Sequence, residues 1–473
     1  MSWDLIEASK KLISINSVTY ESNVEIVEYL CSLFSDLDME IEKHEGELYH
    51  KKQFNLIARK GWTASNAHDA LLLSAHLDTV SSGDYSLWDK TNGNPFQATL
   101  VDDKIYGLGS ADVKLDFLCK MKALEKFKGV AFKQPCVLVG TYGEESGLKG
   151  AKQCIADHKI SAKYAVVGEP SNLNIVYAHK GHLVLEVALT DTDANEVHFK
   201  EKISRIDFFG KSAHSSTPHL GENAIQKGFQ FLKQYKDKLS FISFEGGRLV
   251  NMVPDRACLW FKADEKLLPQ DPGAQLAVEK KDEKKIVFSP AFLNCLEDIH
   301  GVFKKMTHEW KRQPMEEFDP PYSLLSIGVI STQENTVRVE VGIRTLPSVD
   351  SNLLVTTLQN QCDKILTKYP TIKGRIEVLR ESLPMRTELN SVLVTEARTI
   401  LRKMGLQDMV VTKATSTEGS LYKQMGAETI VWGPGLSVNN AHQPNEFNYV
   451  HHLEHAVRFY ENLIDCFCVQ RVR

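Results

Sequence analysis

Short apolar runs alternate with stretches of helical periodicity along most of the chain. The first 35 residues place apolar side chains every three or four positions, which predicts amphipathic helices. Further helices are predicted at residues 114–127 and 149–157. The apolar runs between them are continuous, as expected of strands buried on both faces of a sheet. These predicted strands span residues 70–74, 136–140, 164–168 and 427–432. Strands and helices in this order are typical of an α/β domain with a mainly parallel sheet.

The pattern changes in the middle of the chain. Residues 183–189 alternate more between apolar and polar positions, which indicates a half-exposed strand. A helical stretch follows at residues 223–235, and residues 324–330 and 336–343 have the pattern of a strand pair. We therefore predict a smaller α+β domain that is inserted into the first domain.

The two predicted domains have different extents along the chain. The α/β domain comprises residues 1–182 and 384–473, and the inserted domain comprises residues 183–383. A charged, proline-containing region at about 265–320 enlarges the inserted domain. Its charge pattern predicts a solvated loop or helix face. A chain of 473 residues is long enough for two or three domains at ~100–200 residues each.

Composition and charge exclude several classes of protein. Hydrophobic residues make up 42% of the chain and charged residues 25%, as in ordinary globular proteins. The net charge of −5 argues against a nucleic-acid partner. No apolar run approaches the ~20 residues that span a bilayer, so no membrane association is expected. The N-terminus lacks the pattern of a signal peptide, and most of the nine cysteines lie in apolar runs. These observations predict a cytoplasmic protein with reduced thiols.

Residues suited to catalysis and metal binding gather where the predicted strands end. In open α/β sheets, ligands bind at the carboxyl ends of the strands, so the loops that follow them should converge. A glycine-rich turn at residues 107–112 brings one more carboxylate between the first two of these strands. The converging side chains are two histidines, two aspartates and three glutamates: His76, Asp78, Asp112, Glu144, Glu145, Glu169 and His442.

A cluster of this composition needs cations. Three or more carboxylates within a few ångströms cannot all stay ionised unless positive charge holds them. Mixed imidazole and carboxylate ligands suit zinc, cobalt or manganese, and an aspartate can bridge two ions. Two metal ions ~3.5–4 Å apart are the usual arrangement for hydrolysis of amide or phosphate bonds. The shared position of these residues therefore indicates a metal-dependent hydrolase.

Four motifs, in this order, resemble those of the M20 metallopeptidases. They are Ser74–Val80, Gly107–Lys114, Glu144–Gly147 and Val167–Pro170. The family includes acetylornithine deacetylases, succinyl-diaminopimelate desuccinylases, aminoacylases, carboxypeptidases and dipeptidases, and the resemblance extends over nearly the whole chain. It implies an α/β domain that binds two divalent metal ions per chain. It also implies an inserted α+β lid domain through which two chains form a homodimer.

The resemblance also implies roles for the clustered residues. Asp112 bridges the two ions, for which zinc is expected and cobalt or manganese are the alternatives. Glu144 is the general base that takes a proton from the metal-bound water and later protonates the leaving amine. Asp78 fixes the tautomer of its neighbouring histidine through a carboxylate–imidazole hydrogen bond. The remaining metal ligands are His76 and Glu169 for one ion, and Glu145 and His442 for the other.

Residues of the inserted segment complete the implied site. Within Gly210–Pro218, which matches a lid motif of the family, His214 reaches the active site of the partner subunit and stabilises the oxyanion. The segments around Asn251 and Arg344 resemble the segments that bind the substrate carboxylate, and a guanidinium forks well onto a carboxylate. These two segments are usually close in sequence, whereas about ninety residues separate them here. The chain also has Leu108 where the family usually has arginine.

These features predict a metal-dependent hydrolase that cleaves the amide bond of an N-acyl amino acid with a metal-activated water, as acetylornithine deacetylases do. A dipeptidase or carboxypeptidase with the same site is the alternative, which the enlarged lid favours because lid shape sets which leaving group fits. A metal-dependent binding protein without activity is a further alternative. The intact Glu144 argues against it. The expected partners are a small N-acyl amino acid or short peptide and a second copy of the chain.

Overall fold

Capping side chains mark the starts of several helices. The carboxylate of Asp4 accepts a hydrogen bond from the backbone N–H of Glu7 at 2.9 Å, and Asn223 caps a later helix in the same way.

This computed structural model describes residues 3–34, 37–199, 202–263, 274–280 and 283–470. Within these ranges the α-helices are α1 (Leu5–Ser14), α2 (Val24–Phe34), α3 (Lys114–Leu124), α4 (Lys149–Ala156), α5 (Ala224–Tyr235), α6 (Pro290–Trp310), α7 (Ser351–Leu366), α8 (Val392–Lys403), α9 (Gly419–Gln424) and α10 (Val450–Ile464). None of the helices in the described part of the chain is both long enough and apolar enough to cross a membrane.

The apolar runs of the sequence form the central strands. The strands of the described residues are β1 (Glu40–Leu48), β2 (Lys51–Lys60), β3 (Leu71–His76), β4 (Thr99–Val101), β5 (Lys104–Tyr106), β6 (Cys136–Thr141), β7 (Tyr164–Val167), β8 (Ile175–His179), β9 (His182–Asp191), β10 (Asn195–Phe199), β11 (Lys202–Phe209), β12 (Leu239–Gly246), β13 (Arg256–Ala263), β14 (Ala274–Lys280), β15 (Glu283–Val287), β16 (Leu324–Gln333), β17 (Thr336–Arg344), β18 (Ile372–Ser382), β19 (Met385–Arg386), β20 (Val410–Lys413), β21 (Glu428–Val431) and β22 (Phe447–Tyr449).

A nine-stranded sheet organises the first of two structural units, which consists of Met1–His179 and Met385–Arg473. The strand order is β1-β2-β6-β3-β7-β21-β8-β19, with β20 paired to β8. The central strands β6, β3, β7 and β21 are parallel to one another. Strands β1 and β2 pair antiparallel at one edge. The predicted α/β fold with a mainly parallel sheet is therefore confirmed.

The central strands β3, β6 and β7 are buried along their whole length. Every residue of β3 is buried. Leu72 of β3 belongs to one apolar cluster with Val137 of β6, Ala165 of β7 and Tyr422 of α9. Helix α3 packs against β3 and α10. Because burying a charged group without a partner is costly, the ionisable residues that follow these strands lie where the strands leave the core.

An antiparallel sheet of eight strands organises the second unit, Lys180–Pro384. The strand order is β14-β11-β13-β12-β16-β17-β9-β18, and each neighbouring pair is antiparallel. Helices α5, α6 and α7 contribute Phe229, Phe292 and Leu358 to an apolar core that also contains Phe244 of β12. This unit is the separate α+β lid that the sequence predicted.

The charged region at 265–320 differs from its prediction as a solvated loop or helix face. Residues 264–273 and 281–282 of this region lie outside the described residues. The described part forms β14, β15 and α6, which at 21 residues is longer than a loop prediction allows. The helical spacing of apolar residues after Pro290 explains the difference, since it produces a face that is buried in the core. Its buried apolar residues include Phe292, Leu296, Ile299, Phe303 and Met306.

A buried ion pair joins α3 to the end of the central sheet. Lys120 and Asp116 are both fully buried and pair with each other. Nζ of Lys120 also donates a hydrogen bond to the carbonyl oxygen of Ser74 in β3 at 2.9 Å. The Tyr460 hydroxyl of α10 donates to the Asp116 carboxylate at 2.8 Å. A Cβ at Gly168 would collide with this carboxylate, so glycine is required where β7 ends.

Replacement of Lys120 tests this anchoring. We expect Lys120→Met to lower the free energy of unfolding by ~3–5 kcal/mol, because the carboxylate of Asp116 stays buried without its cation. Urea denaturation measures the change. Lys126→Met is the matched control, since Lys126 is exposed and pairs with Glu461 on the surface. The control should change the free energy of unfolding by less than ~1 kcal/mol. Equal losses in the two variants would contradict the anchoring role.

Candidate active site

Four of the predicted site residues leave the central sheet at one edge. His76 is the last residue of β3, Glu144 and Glu145 follow β6, and Glu169 follows β7. Strands β6, β3 and β7 are adjacent and parallel. Their carboxyl ends therefore place these side chains side by side, as the sequence predicted.

Asp112 reaches the same cluster on a glycine-rich turn between β5 and α3. Gly107 and Gly109 have φ values of 146° and 79°, which glycine adopts without strain and other residues rarely do. A Cβ at Gly109 would also lie 2.8 Å from Cγ2 of Thr79. The backbone can therefore follow this path to Asp112 only with glycine at these two positions.

The two oxygens of the Asp112 carboxylate face two different histidines. Oδ1 lies 3.1 Å from Nε2 of His76, and Oδ2 lies 3.1 Å from Nε2 of His442. The same Nε2 of His442 lies 3.0 Å from Oε1 of Glu145. His76 and Asp112 are buried, whereas half of the His442 side chain is exposed. Asp112 thus lies in the middle of the cluster.

Three overlapping groups of side chains have the geometry to hold a cation; two of them contain Asp112, and the third consists of His76, Glu144 and Glu145. The ligand atoms of His76, Asp112 and Glu169 lie within 4.8 Å of one another, and so do those of Asp112, Glu145 and His442. Asp112 belongs to both groups. Imidazole nitrogen and carboxylate oxygen together are a donor set that zinc, cobalt and manganese accept. The residues present therefore fit a pair of divalent metal ions.

Burial of so many ionisable groups shifts their pKa values. Burial raises the pKa of Glu144 well above its usual value, and the charges of Glu145 and Glu169 raise it further against the effect of His76. Burial alone would lower the pKa of His76, but its hydrogen bond with Asp112 and the surrounding carboxylates raise it well above the usual value. The neighbouring carboxylates contribute to both shifts, and a divalent cation would relieve the repulsion among them.

The predicted hydrogen bond between the Asp78 carboxylate and His76 is not formed. Oδ1 of Asp78 lies 3.7 Å from Nδ1 of His76, whereas Nδ1 donates to the backbone carbonyl of Asp78 at 2.9 Å. The carboxylate accepts from the backbone N–H groups of Glu144 and Glu145 at 3.1 and 3.3 Å. These buried N–H groups need an acceptor, which draws the carboxylate to them. Asp78 therefore fixes the His76 tautomer through its carbonyl, with Nε2 facing Asp112.

Two charged residues at this edge were not identified from the sequence. Nζ of Lys413, the last residue of β20, lies 2.6 Å from Oε2 of Glu169. The Thr141 hydroxyl donates to Oε1 of Glu418 at 2.6 Å, and burial raises the pKa of Glu418 to about 7. Lys413 follows the apolar residues Val410–Val411 after one intervening threonine, and this position after an apolar run is the signal that could have identified it. Glu418 follows no apolar run and has no such signal.

In the second unit, the structure brings the three predicted lid residues onto neighbouring segments. The backbone N–H of Ser215 donates to the carbonyl of Asn251 at 2.8 Å. Nη2 of Arg344 donates to the Ser215 hydroxyl at 3.3 Å, and His214 forms an antiparallel bridge with Met252. The segments of Asn251 and Arg344 therefore lie close together, because both contact Ser215, although about ninety residues separate them in the sequence.

Arg344 is buried without a carboxylate partner among the described residues. Only 4% of Arg344 is exposed, its Nε has no hydrogen-bond partner, and burial lowers its pKa to about 9. His182 is also buried, and its Nε2 likewise has no partner. A buried guanidinium loses hydration that a bidentate interaction with an anion can offset. The geometry of Arg344 thus favours binding of a carboxylate.

Known proteins resemble this chain over nearly its whole length. Acetylornithine deacetylase from Yersinia pseudotuberculosis is 25% identical over 477 residues, which cover 98% of this chain and 96% of the relative. Acetylornithine deacetylase from Aliivibrio fischeri is 26% identical over 453 residues, which cover 93% and 92%. The structure of aminoacylhistidine dipeptidase from Vibrio alginolyticus has a TM-score of 0.67 at 17% identity, covering 98% of this chain and 96% of that one. An M20 family metallo-carboxypeptidase from Sulfolobus solfataricus has a TM-score of 0.61 at 16% identity, covering 98% of each.

The match to a family model decides the classification. The model of peptidase family M20/M25/M40 matches residues 72–465, which is well over half of the chain and includes every residue of the cluster around Asp112. The solved structures share the α/β fold with a separate lid domain. The chain therefore belongs to peptidase family M20/M25/M40 and is a hydrolase of the amidohydrolase or peptidase type.

Proposed function

We propose that this protein hydrolyses the amide bond of an N-acyl amino acid, in the manner of an acetylornithine deacetylase, and releases a carboxylate and a free amino acid. The observation that carries the proposal is the position of Asp112, whose two carboxylate oxygens face His76 and His442. The buried Glu144 lies in a group with His76 and Glu145. The names of the relatives that align over nearly the whole chain support an N-acyl amino acid as substrate.

Five residues would hold two divalent metal ions, with zinc as the metal proposed and cobalt or manganese as alternatives. His76 and Glu169 would bind one ion, Glu145 and His442 would bind the other, and Asp112 would bridge them. Bound ions supply Lewis acidity, which lowers the pKa of water and polarises the scissile carbonyl. The overlap of the two ligand groups at Asp112 supports this assignment.

Glu144 would move the proton in this reaction. Its carboxylate would take a proton from the attacking water and then protonate the nitrogen of the leaving amine. Burial raises the pKa of Glu144 well above its usual value, which favours uptake of a proton by this carboxylate. Asp78 accepts hydrogen bonds from the backbone of Glu144 and Glu145, which fixes the base beside the ligands.

Residues of the second unit would bind the substrate. Arg344, with Asn251 on a neighbouring segment, would hold the carboxylate of the amino acid. His214 would act in the partner subunit of a homodimer formed through this unit. Nδ1 of His214 accepts a hydrogen bond from the backbone N–H of Ser216 at 3.2 Å and lies 2.7 Å from the Ser216 hydroxyl. With Nδ1 as the acceptor of both groups, the neutral ring would carry its proton on Nε2. The Nε2–H group is the kind of donor that stabilises an oxyanion.

A dipeptidase or carboxypeptidase that uses the same residues is the second candidate function. The enlarged sheet of the second unit and its long helix α6 favour it, because the shape of the lid decides which substrates fit. Both candidates require the same water activation and the same carboxylate site. They differ in the group on the other side of the amide bond, which is an acyl group in one case and an aminoacyl group in the other.

A panel of substrates, together with a variant that lacks the proposed general base, tests the proposed function. We expect zinc-loaded wild-type protein to hydrolyse N-acetylated amino acids faster than dipeptides. Glu144→Gln should lose ~10²–10⁴-fold in kcat, since the amide cannot take the proton from water. The variant should retain its metal content, measured by elemental analysis. Preference for dipeptides would favour the second candidate. Near wild-type kcat in Glu144→Gln would refute the role of the base.

Asp112 tests the bridging arrangement through metal content. We expect Asp112→Ala to lose at least one of two metal ions after dialysis, because the remaining carboxylates repel one another once the shared ligand is gone. Elemental analysis per chain measures the loss. Asp237→Ala is the control, since Asp237 is an exposed aspartate of the second unit. Two ions retained in Asp112→Ala would exclude the bridge.

His214 tests whether the site is shared between subunits. We expect His214→Ala to lower kcat by ~10²–10³-fold with unchanged metal content, as the loss of one oxyanion donor does. His219→Ala, an exposed histidine nearby, is the control. Mixing His214→Ala with Glu144→Gln chains should partly restore activity, because one site of the mixed dimer then has both groups. If subunits exchange and activity does not return, His214 acts within its own chain.

A further inference from the structure

Glu446 lies four residues after the proposed metal ligand His442 and contacts the turn that carries Asp112. We propose that Glu446 is a positioning residue that holds Asp112 and His442 at the separation required for binding divalent cations. The inference rests on the metal centre proposed above. It concerns a side chain that contributes no ligand atom to that centre and lies outside the motifs described above.

The carboxylate of Glu446 accepts three hydrogen bonds from a single turn. Its Oε2 accepts from the backbone N–H of Gly109 at 2.9 Å, and its Oε1 accepts from those of Ala111 and Asp112 at 2.7 and 2.9 Å. Glu446 is only 1% exposed. Successive N–H groups that converge on one point form a nest for an anion. The Glu446 carboxylate occupies this nest and thereby fixes the backbone of Asp112.

Two further hydrogen bonds join the same two segments. The backbone N–H of Gly107 donates to the carbonyl of Glu446 at 2.9 Å. Nδ2 of Asn448 donates to the carbonyl of Ser110 at 2.9 Å. A turn with two glycines has unusual conformational freedom when nothing restrains it. The segment 446–448 supplies this restraint along the length of the turn.

The loop that precedes Glu446 holds His442. Its φ of 60° is a conformation that residues other than glycine rarely adopt, so the surrounding loop must fix it. The side chain of Asn440 closes this loop, because its Oδ1 accepts from the backbone N–H of Phe447 at 3.0 Å and its Nδ2 donates to the carbonyl of Phe447 at 2.8 Å. His442 is thus fixed relative to Glu446, and Glu446 is fixed relative to Asp112.

Substitution of Glu446 by glutamine should disturb the turn that carries Asp112. An amide has one acceptor oxygen, so it cannot accept from all three N–H groups in the same geometry, and at least one N–H would face an NH₂ group. The turn must then shift, together with Asp112. Sites for metal ions tolerate deviations of only ~0.2 Å in ligand distance. Loss of such an outer partner of a ligand typically lowers metal affinity by ~10–100-fold.

Zinc affinity of the full-length chain tests the proposal. Wild-type protein, Glu446→Gln and the control Glu454→Gln are stripped of metal and titrated with Zn²⁺ in competition with a chromophoric chelator. Glu454 is an exposed glutamate of α10, so its substitution should leave the affinity unchanged. We expect Glu446→Gln to bind Zn²⁺ ~10–100-fold more weakly. The visible absorption of bound Co²⁺ should change in the same variant, because the ligand geometry changes.

The outcomes separate this inference from the metal centre itself. If the wild-type chain binds neither Zn²⁺ nor Co²⁺, the proposed metal centre fails. If the wild type binds and Glu446→Gln binds equally well, the positioning role is overturned, even where the melting temperature falls, because a purely structural residue changes stability alone. If Glu446→Gln does not fold, Glu446→Asp replaces it. That carboxylate is one methylene shorter and should also weaken zinc binding, so wild-type affinity in this variant would overturn the proposal.

Discussion

Mutual repulsion among carboxylates at one edge of a sheet is the constraint on which the rest of this structure depends. Asp112 and Glu145 share the nitrogen of His442, and the buried Glu144 and Asp78 lie beside them. Lys413 pairs with Glu169 and contributes one positive charge. The surrounding carboxylates Asp78, Asp112, Glu144, Glu145 and Glu169 outnumber this single ammonium. The proposed pair of divalent cations would offset the negative charge that remains.

Ligands that repel one another must be held from outside the cluster, and two carboxylates do this in the same way. Asp78 accepts from the N–H groups of the turn that carries Glu144 and Glu145, and Glu446 accepts from those of the turn that carries Asp112. In both cases a buried acceptor satisfies backbone donors that the turn cannot pair by itself. The turn of Glu144 and Glu145 begins at the parallel strand β6, and the turn of Asp112 begins after the antiparallel strand β5. The two carboxylates hold the other ends of these turns.

The sequence predicts the residues whose position depends on local pattern. His76, Glu144 and Glu169 follow continuous apolar strands, so a general rule about the carboxyl ends of parallel strands brings them together. The contact of the Asp78 carboxylate and the buried nest around Glu446 depend on segments that are far apart in sequence, and no local pattern encodes them. The sequence prediction for 265–320 did not include the buried apolar face of helix α6, because the charged residues that precede the helix dominate the local pattern. The proximity of Asn251 and Arg344 depends on the register of a sheet enlarged by insertion, which composition alone does not reveal.

The two candidate functions differ in the part of the substrate that lies across the scissile bond from the carboxylate proposed to bind Arg344. Burying a guanidinium without a counter-ion costs several kcal/mol, which is recovered when an anion binds. N-acyl amino acids and peptides both end in a carboxylate, so Arg344 in its proposed role would accept either. A dipeptide differs by a free α-amino group on the other side of the scissile bond. As a cation, this group needs an acceptor or a carboxylate to replace its hydration. Under either proposed function, a dipeptide would therefore require an acceptor for this cation that an N-acyl amino acid does not require.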